Sequence, residues 1–552
     1  MGHRLLLVFF ISILNANLFA GDSYMYAVYF TNKAHNSFSL SHPQSFLSAQ
    51  CIERRTRQHI GFFESDLPVS KLYADSLLTF GVHNIKTSKW LNCSLISASD
   101  TTIIQRIASL GFVSKVELVK SPVTSLRKSE SKFEVLTDVD FKDFNPDEYY
   151  GASSNQNQMI HVDFLHKRGY KGDSVDIAVF DAGFYNANGL AGFDSLFKTS
   201  RFKGSWDLEA QNANVFDDGS HGTSCLSCMA ANQPGKMIGS APNANYALFR
   251  TEVGSSETLE EEYNWVFAAE FAESGGADVF STSLGYTQFD DATTNHTYAD
   301  LDGNTTPIAK AANVAARGGI VVLNSAGNEG ANSWYFISTP ADADSILAVG
   351  AVNELRQYAK FSGKGPNAAG HVKPDVCARG VGTAVYNTAG EIYNGSGTSF
   401  SCPVLAGGAA CLRQAFPNVP GLEIMETIRE SAHLFKMPND TFGYGIPDLA
   451  VAYMILSNKY NYHNHDNLLA DLDVFPNPFS SELNVYVGKP MDEKLQLAIF
   501  DFSGKLIQSQ DVSFSNNSNQ FVAVNTLNLN QGVYLLKLQG KSFFDVKRIV
   551  KE

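Results

Sequence analysis

Five short, almost uninterrupted apolar runs dictate most of what this chain can fold into: residues 175–180, 246–249, 277–280, 320–323 and 346–349. A strand with one wet face alternates polar and apolar residues, whereas a strand that is apolar throughout needs cover on both faces. Helical patterns lie between the runs, at 257–274 and 307–317. Strand and helix in alternation predict an open, doubly wound α/β domain with a parallel sheet, here over residues 151–455. In such a sheet, reacting groups gather beyond the carboxyl ends of the strands.

The flanks carry other patterns. Residues 1–20 begin with His3 and Arg4, continue with an apolar run over 5–14, and end on Ala20. That reads as a secretory signal peptide, because the run is too short to cross a bilayer. No other apolar stretch is long enough to cross one, so the mature chain is expected to carry no transmembrane helix. Residues 21–120 read as a small α+β ferredoxin-like unit, with strands at 24–30, 90–96 and 112–119 and helices at 44–59 and 100–110. Two aperiodic polar stretches, 121–150 and 456–470, read as linkers. Residues 471–552 alternate in short strands (483–487, 495–500, 532–538) with turns at 503–504 and 530–532, which predicts a small all-β sandwich.

At 552 residues the chain exceeds a single core, which agrees with several domains. The net charge of −14 argues against a nucleic-acid partner. Seven cysteines leave at least one thiol unpaired and do not fix any pairing.

In the large block, four motifs present reactive groups. The first strand ends in Asp181-Ala182-Gly183, and His221 stands in Gly219-Ser220-His221-Gly222-Thr223. Asn328 stands in Ser325-Ala326-Gly327-Asn328-Glu329, and Ser399 in Gly395-Ser396-Gly397-Thr398-Ser399-Phe400. A serine that attacks a peptide bond needs a base within hydrogen-bond reach and a carboxylate to hold that base. With its order Asp, His, Ser, the block resembles the subtilisin-like (subtilase) family. The resemblance implies a serine endopeptidase with Asp181 as orienting carboxylate, His221 as general base and acid, and Ser399 as nucleophile. It further implies an oxyanion hole from Asn328 and the Ser399 N–H, and substrate-binding segments at Ser283, Leu284, Gly285, Ala326 and Gly327. Pro403 is expected in the first turn of a helix that begins near Ser399.

The chain departs from the family pattern at Ala182, where a hydroxyl residue is common, and at Phe400, where methionine is common. Cys225, four residues after His221, is expected one helical turn beneath it. With Cys228 it forms a Cys-x-x-Cys, but no second ligand pair accompanies it, so no metal site is read there. The resemblance requires no cofactor and leaves room for structural calcium.

The resemblance implies that residues 21–120, which suit the role by position and pattern, are a cut-off inhibitory propeptide, so the expected partners include the chain's own propeptide as well as protein or peptide substrates. The last 80 residues resemble the C-terminal sorting domain of type nine secretion substrates. The resemblance rests on Pro476-Asn477-Pro478, Gly532-Val533-Tyr534 and the ending Lys547-Arg548-Ile549-Val550-Lys551. It implies export through the periplasm of a Gram-negative bacterium, outer-membrane secretion machinery as a partner, and release or retention at the cell surface. The competing expectation is a catalytically silent surface or adhesion protein on a subtilase scaffold.

Overall fold

The computed structural model describes residues 24–122, 148–460 and 472–551, apart from 476, 480–481, 488–492, 515–520 and 542. The signal-peptide reading and most of both linker readings fall outside these residues.

The apolar runs do pair as a parallel sheet. Seven strands lie in the order Val376–Arg379, Leu347–Val352, Val321–Ser325, Val279–Thr282, Asp176–Asp181, Asn245–Arg250 and Phe202–Asp207, and every pairing is parallel. Strands such as Val321–Ser325 and Leu347–Val352 are buried at every residue, as strands covered by helices on both faces must be. The strand Asp176–Asp181 lies between strands that follow it in the chain, and there the order reverses. That reversal opens a crevice at the carboxyl edge. Two helix pairs pack closely, Glu260–Ser274 with Pro307–Arg317 and His221–Ala230 with Thr398–Ala415.

The N-terminal unit is a four-stranded antiparallel sheet in the order His83–Ser88, Cys93–Ala98, Tyr24–Phe30, Val113–Lys120. Tyr26 and Val28 face its own helices, where Tyr73, Leu77 and Ile107 fill a small core. Ala27 alternates with them and, with Trp90, Cys93, Leu95 and Val119, joins the core of the large domain. The sheet is therefore covered on both sides, once by its own helices and once by the neighbouring domain.

Some boundaries differ from the sequence expectations for local reasons. The helix expected over 44–59 is broken: a 3₁₀ turn spans Pro43–Ser45, and the α-helix runs Ala49–Arg57. Ser48 starts the second piece by accepting the Cys51 N–H at 3.1 Å. The strand expected from Trp90 starts at Cys93, because Asn92 adopts φ 49° and turns the chain. The helix Lys71–Leu78 and the strand His83–Ser88 were not expected. The C-terminal residues form two antiparallel sheets of three and four strands around a shared core that includes Leu483, Val485, Leu497, Ile499 and Leu536. Among the described residues, no helix is long and apolar enough to cross a membrane.

Candidate active site

Asp181 ends its strand at the reversal of the sheet, and His221 begins the helix His221–Ala230. Gly222 allows the helix to start against the strand. A Cβ there would stand 2.9 Å from Asp181 Cβ and would also strike the Gly183 carbonyl, to which the Gly222 N–H donates at 3.0 Å. The close approach puts His221 Nδ1 2.8 Å from Asp181 Oδ1, with both side chains buried. The Ala182 N–H donates to the same oxygen at 2.8 Å. Among the described residues, no hydrogen-bond partner meets the geometric criteria for the buried Asp181 Oδ2, beside the position where Ala182 stands in place of a hydroxyl residue. Arg250 braces this corner from its neighbouring strand. It donates to the Ala182 carbonyl at 3.1 Å and pairs with Asp207 and Asp218 at 2.8 and 2.9 Å. Sequence reading missed Arg250, and only its place at a strand end hinted at it.

Ser399 is the second residue of the helix Thr398–Ala415. Pro403 therefore lies inside this helix, one turn beyond the place expected for it. Lacking an N–H, it leaves the Ser399 carbonyl without its i+4 donor. Other segments supply donors instead: Ser283 Oγ at 2.9 Å and Cys225 Sγ at 3.4 Å. Cys225 Sγ also lies 3.7 Å from His221 Nδ1 and 3.9 Å from Nε2, so His221 and Ser399 share it as a neighbour. The Phe400 ring packs against the imidazole, with ring centres 6.2 Å apart.

Asn328 follows the strand Val321–Ser325. Its Oδ1 accepts from both the N–H and the Oγ1 of Thr398, each at 2.9 Å, which leaves the amide N–H₂ to donate elsewhere. Ser283, Leu284 and Gly285 follow the adjacent strand, and Asn324 Nδ2 donates to the Leu284 carbonyl at 3.0 Å. The two segments read as substrate-binding, 283–285 and 326–327, thus lie side by side next to Ser399.

All seven cysteines are free and buried. Among the described residues, one group of three or more His, Cys, Asp and Glu brings its ligand atoms within 4.8 Å of one another: Asp181, His221 and Cys225. A thiol, an imidazole and one carboxylate suit a soft metal and are no oxygen cage for calcium. Burial, and then the Asp181 charge, push the Cys225 pKa well up, so it rests as a neutral thiol. Mercuric ion is expected to inhibit by bonding this sulfur and displacing His221, slowly because the thiol must first lose its proton. Cys225→Ala is expected to abolish that inhibition. Unchanged mercury sensitivity in the variant would refute the assignment.

Comparison with known proteins follows the same division of the chain. The family model described as "Subtilase family" matches residues 172–445. The model described as "Peptidase S8 propeptide domain, Bacteroidota" matches 25–134, and that described as "Secretion system C-terminal sorting domain" matches 473–552. Subtilisin from Bacillus pumilus is 30% identical over 287 residues, which cover 51% of this chain and 90% of that protein. Subtilisin E from Bacillus subtilis (strain 168) is 29% identical over 332 residues, 59% of this chain and 76% of that protein. The serine protease AprX of the same strain is 28% identical over 294 residues, 48% of this chain and 62% of that protein.

Proposed function

The chain belongs to the subtilase family of serine endopeptidases, and on that premise we propose that Ser399, His221 and Asp181 form its catalytic triad. Ser399 Oγ attacks the scissile carbonyl carbon while His221 Nε2 takes the hydroxyl proton. Asp181 holds the Nδ1–H and stabilises the imidazolium that forms. Charge on the carbonyl oxygen is met by the Asn328 side-chain amide and the Ser399 N–H, close to the N-terminus of the helix Thr398–Ala415. Loss of one such donor costs about 10²–10³ in kcat. His221 then returns its proton to the leaving amine, which leaves an acyl group on Ser399. Water, deprotonated by His221, releases the acid and restores the serine. Substrate backbone pairs along Ser283-Leu284-Gly285 as an added strand, with Ala326-Gly327 on its other side.

The observation that carries this reading is the buried 2.8 Å contact of His221 with Asp181, set beside a serine that begins a helix and shares Cys225 with that histidine. We further take residues 1–20 as a signal peptide and 21–120 as an inhibitory propeptide, cut from the chain within 121–150. Residues 151–455 form the catalytic domain, followed by a linker at 456–470 and a sorting domain at 471–552. The enzyme is made as a zymogen, crosses the periplasm, and acts outside the cell or at its surface.

The test is labelling of the processed protein with a fluorophosphonate. Labelling that is lost in Ser399→Ala supports the triad. A processed protein that takes no label would mark a silent scaffold.

A further inference from the structure

The contact between His221 and Asp181 joins two loops that are far apart in the chain, and no covalent link fixes it. Asp181 leaves its strand into the turn Ala182-Gly183, and His221 starts its helix after the loop 217–220. The two loops interlock backbone to backbone. A Cβ on Gly183 would strike the Asp218 carbonyl, and a Cβ on Gly219 would strike the Ala182 carbonyl. The Gly222 N–H donates to the Gly183 carbonyl at 3.0 Å, and the Tyr185 N–H donates to the Gly219 carbonyl at 2.8 Å. A shift of either loop is therefore passed directly to the other, and with it to the imidazole or the carboxylate.

A third element reaches both loops. Arg250 ends the strand Asn245–Arg250 and pairs in register with Asp181 on one side and with Asp207 on the other. Its guanidinium spreads over the carboxyl edge of the sheet in three directions. Nε donates to the Ala182 carbonyl at 3.1 Å, one terminal nitrogen to Asp207 Oδ2 at 2.8 Å, and the other to Asp218 Oδ2 at 2.9 Å. The two carboxylates are themselves held by backbone. Asp207 Oδ1 accepts the Glu209 and Ala210 N–H groups at 2.8 and 2.9 Å, and Asp218 Oδ1 accepts the Gly219 N–H at 2.8 Å. Arg250 and Asp207 are buried, whereas the Asp218 side chain is 74% exposed. One arm of the guanidinium thus anchors it to the sheet, and the other two grip one group from each loop.

A planar fork with fixed donor directions sets the place of its acceptors more tightly than a flexible ammonium does. We infer that Arg250 is a positioning residue for the general base: from the sheet it clamps the turn after Asp181 to the loop before His221, and so fixes the geometry of the carboxylate–imidazole contact. It acts through those two side chains and has no part in making or breaking bonds. Its worth lies in alignment, since a displacement of about 1 Å behind the reacting groups costs up to about 10²-fold in rate. This inference rests on the reading of Asp181, His221 and Ser399 as the triad and adds the residue that keeps the first two in register.

The experiment uses the processed full-length enzyme and one fluorogenic peptide. Each variant is processed in trans by an affinity-tagged wild-type enzyme, which is then removed. Arg250→Met is expected to lower kcat by about 10- to 100-fold and to leave KM within about twofold, because the change lies behind the base and away from the proposed substrate segments. Arg250→Lys keeps the charge but loses the fork, and is expected to restore only part of that loss. Asp218→Asn weakens one arm at an exposed side chain and leaves no buried charge unpaired; it is expected to lower kcat by about threefold. An Asp181→Ala background separates alignment from general support of the fold. Asp181→Ala alone is expected to cost about 10⁴-fold in kcat, and adding Arg250→Met to it less than about twofold more, because the clamp then holds nothing against the imidazole. If Arg250→Met does not fold, Arg250→Lys and Asp218→Asn carry the same comparison. An unchanged kcat, a loss that falls in KM instead, or an equal loss in both backgrounds would overturn the inference and leave the triad standing. Full activity in Asp181→Ala would instead overturn the triad.

Discussion

Ser399→Ala is expected to lower kcat by about 10⁶-fold, His221→Ala to do the same, and the double variant to be no worse than either. The reason is that in the proposed triad the serine and the imidazole act as a unit. Without the base, the hydroxyl stays protonated and weakly nucleophilic; without the hydroxyl, the base has nothing to activate. The fall of about 10⁶ is the one recorded for the corresponding losses in subtilisin, and it carries over because the chain belongs to the same family. The proposed oxyanion donors remain in these variants, so about 10³- to 10⁴-fold acceleration over water should persist. The measurement needs care in one respect. A chain that cannot cut itself is expected to retain its N-terminal domain, visible as an unprocessed band. The variants must therefore be processed in trans by traces of wild-type enzyme before they are assayed. Additive losses in the double variant would show that the two residues do not cooperate.

The second large effect concerns the seam between the N-terminal domain and the catalytic domain. Glu273, fully buried on the helix Glu260–Ser274, contacts Arg55 at 2.5 Å, Lys89 at 2.9 Å and Arg54 at 3.4 Å. Burial alone would raise its pKa, but Lys89, Arg55 and Arg54 together reverse this and hold the carboxyl well below the usual range. Arg54 also donates to the Ala277 and Gly318 carbonyls, and the Gly421 N–H donates to Gln58 Oε1. Removing the carboxylate leaves buried cations facing one another, although Arg55 keeps a bidentate partner in Asp66. Breaking a buried pair by deleting one member costs about 3–5 kcal/mol, or roughly 10²- to 10⁴-fold in the docking equilibrium. In an uncleaved Ser399→Ala background, Glu273→Ala is therefore expected to undock the arm formed by residues 43–66. Hydrogen exchange should speed up along that arm and along the helix Glu260–Ser274. Protection equal to the parent's would show that the other contacts of the seam hold it without Glu273. The sign with pH follows from the lowered pKa: the contribution is present above the ordinary glutamate range and is lost only as the solution becomes more acid than that.

The parts of the molecule governed by local patterns were legible in the chain. The helix Pro307–Arg317 falls within its expected bounds, because Thr306 caps it and Pro307 opens it. The buried strands were readable because nothing polar interrupts them. The four motifs led to Asp181, His221, Asn328 and Ser399, which the fold gathers at the carboxyl edge of one sheet. What was not legible depends on partners distant in sequence. The helix Ala49–Arg57, with Arg54, Arg55 and Arg57, has the composition of a solvated surface. Its face with Cys51, Arg54 and Arg55 is buried because Glu273 waits on the other domain. The strand His83–Ser88 has little apolar pattern of its own, and its place in the sheet comes from register with Cys93–Ala98.

Pro403 has a consequence for how turnover relates to the length of the peptide. Because the helix cannot use the Ser399 carbonyl, that oxygen is anchored by Ser283, the residue that opens the segment along which substrate backbone is proposed to lie. A peptide long enough to add a strand there would steady Ser283, and through it the backbone of the nucleophile. Binding energy from residues remote from the cut would then be felt in the chemical step. Short and long substrates would be separated by how fast they react once bound, as well as by how tightly they are held.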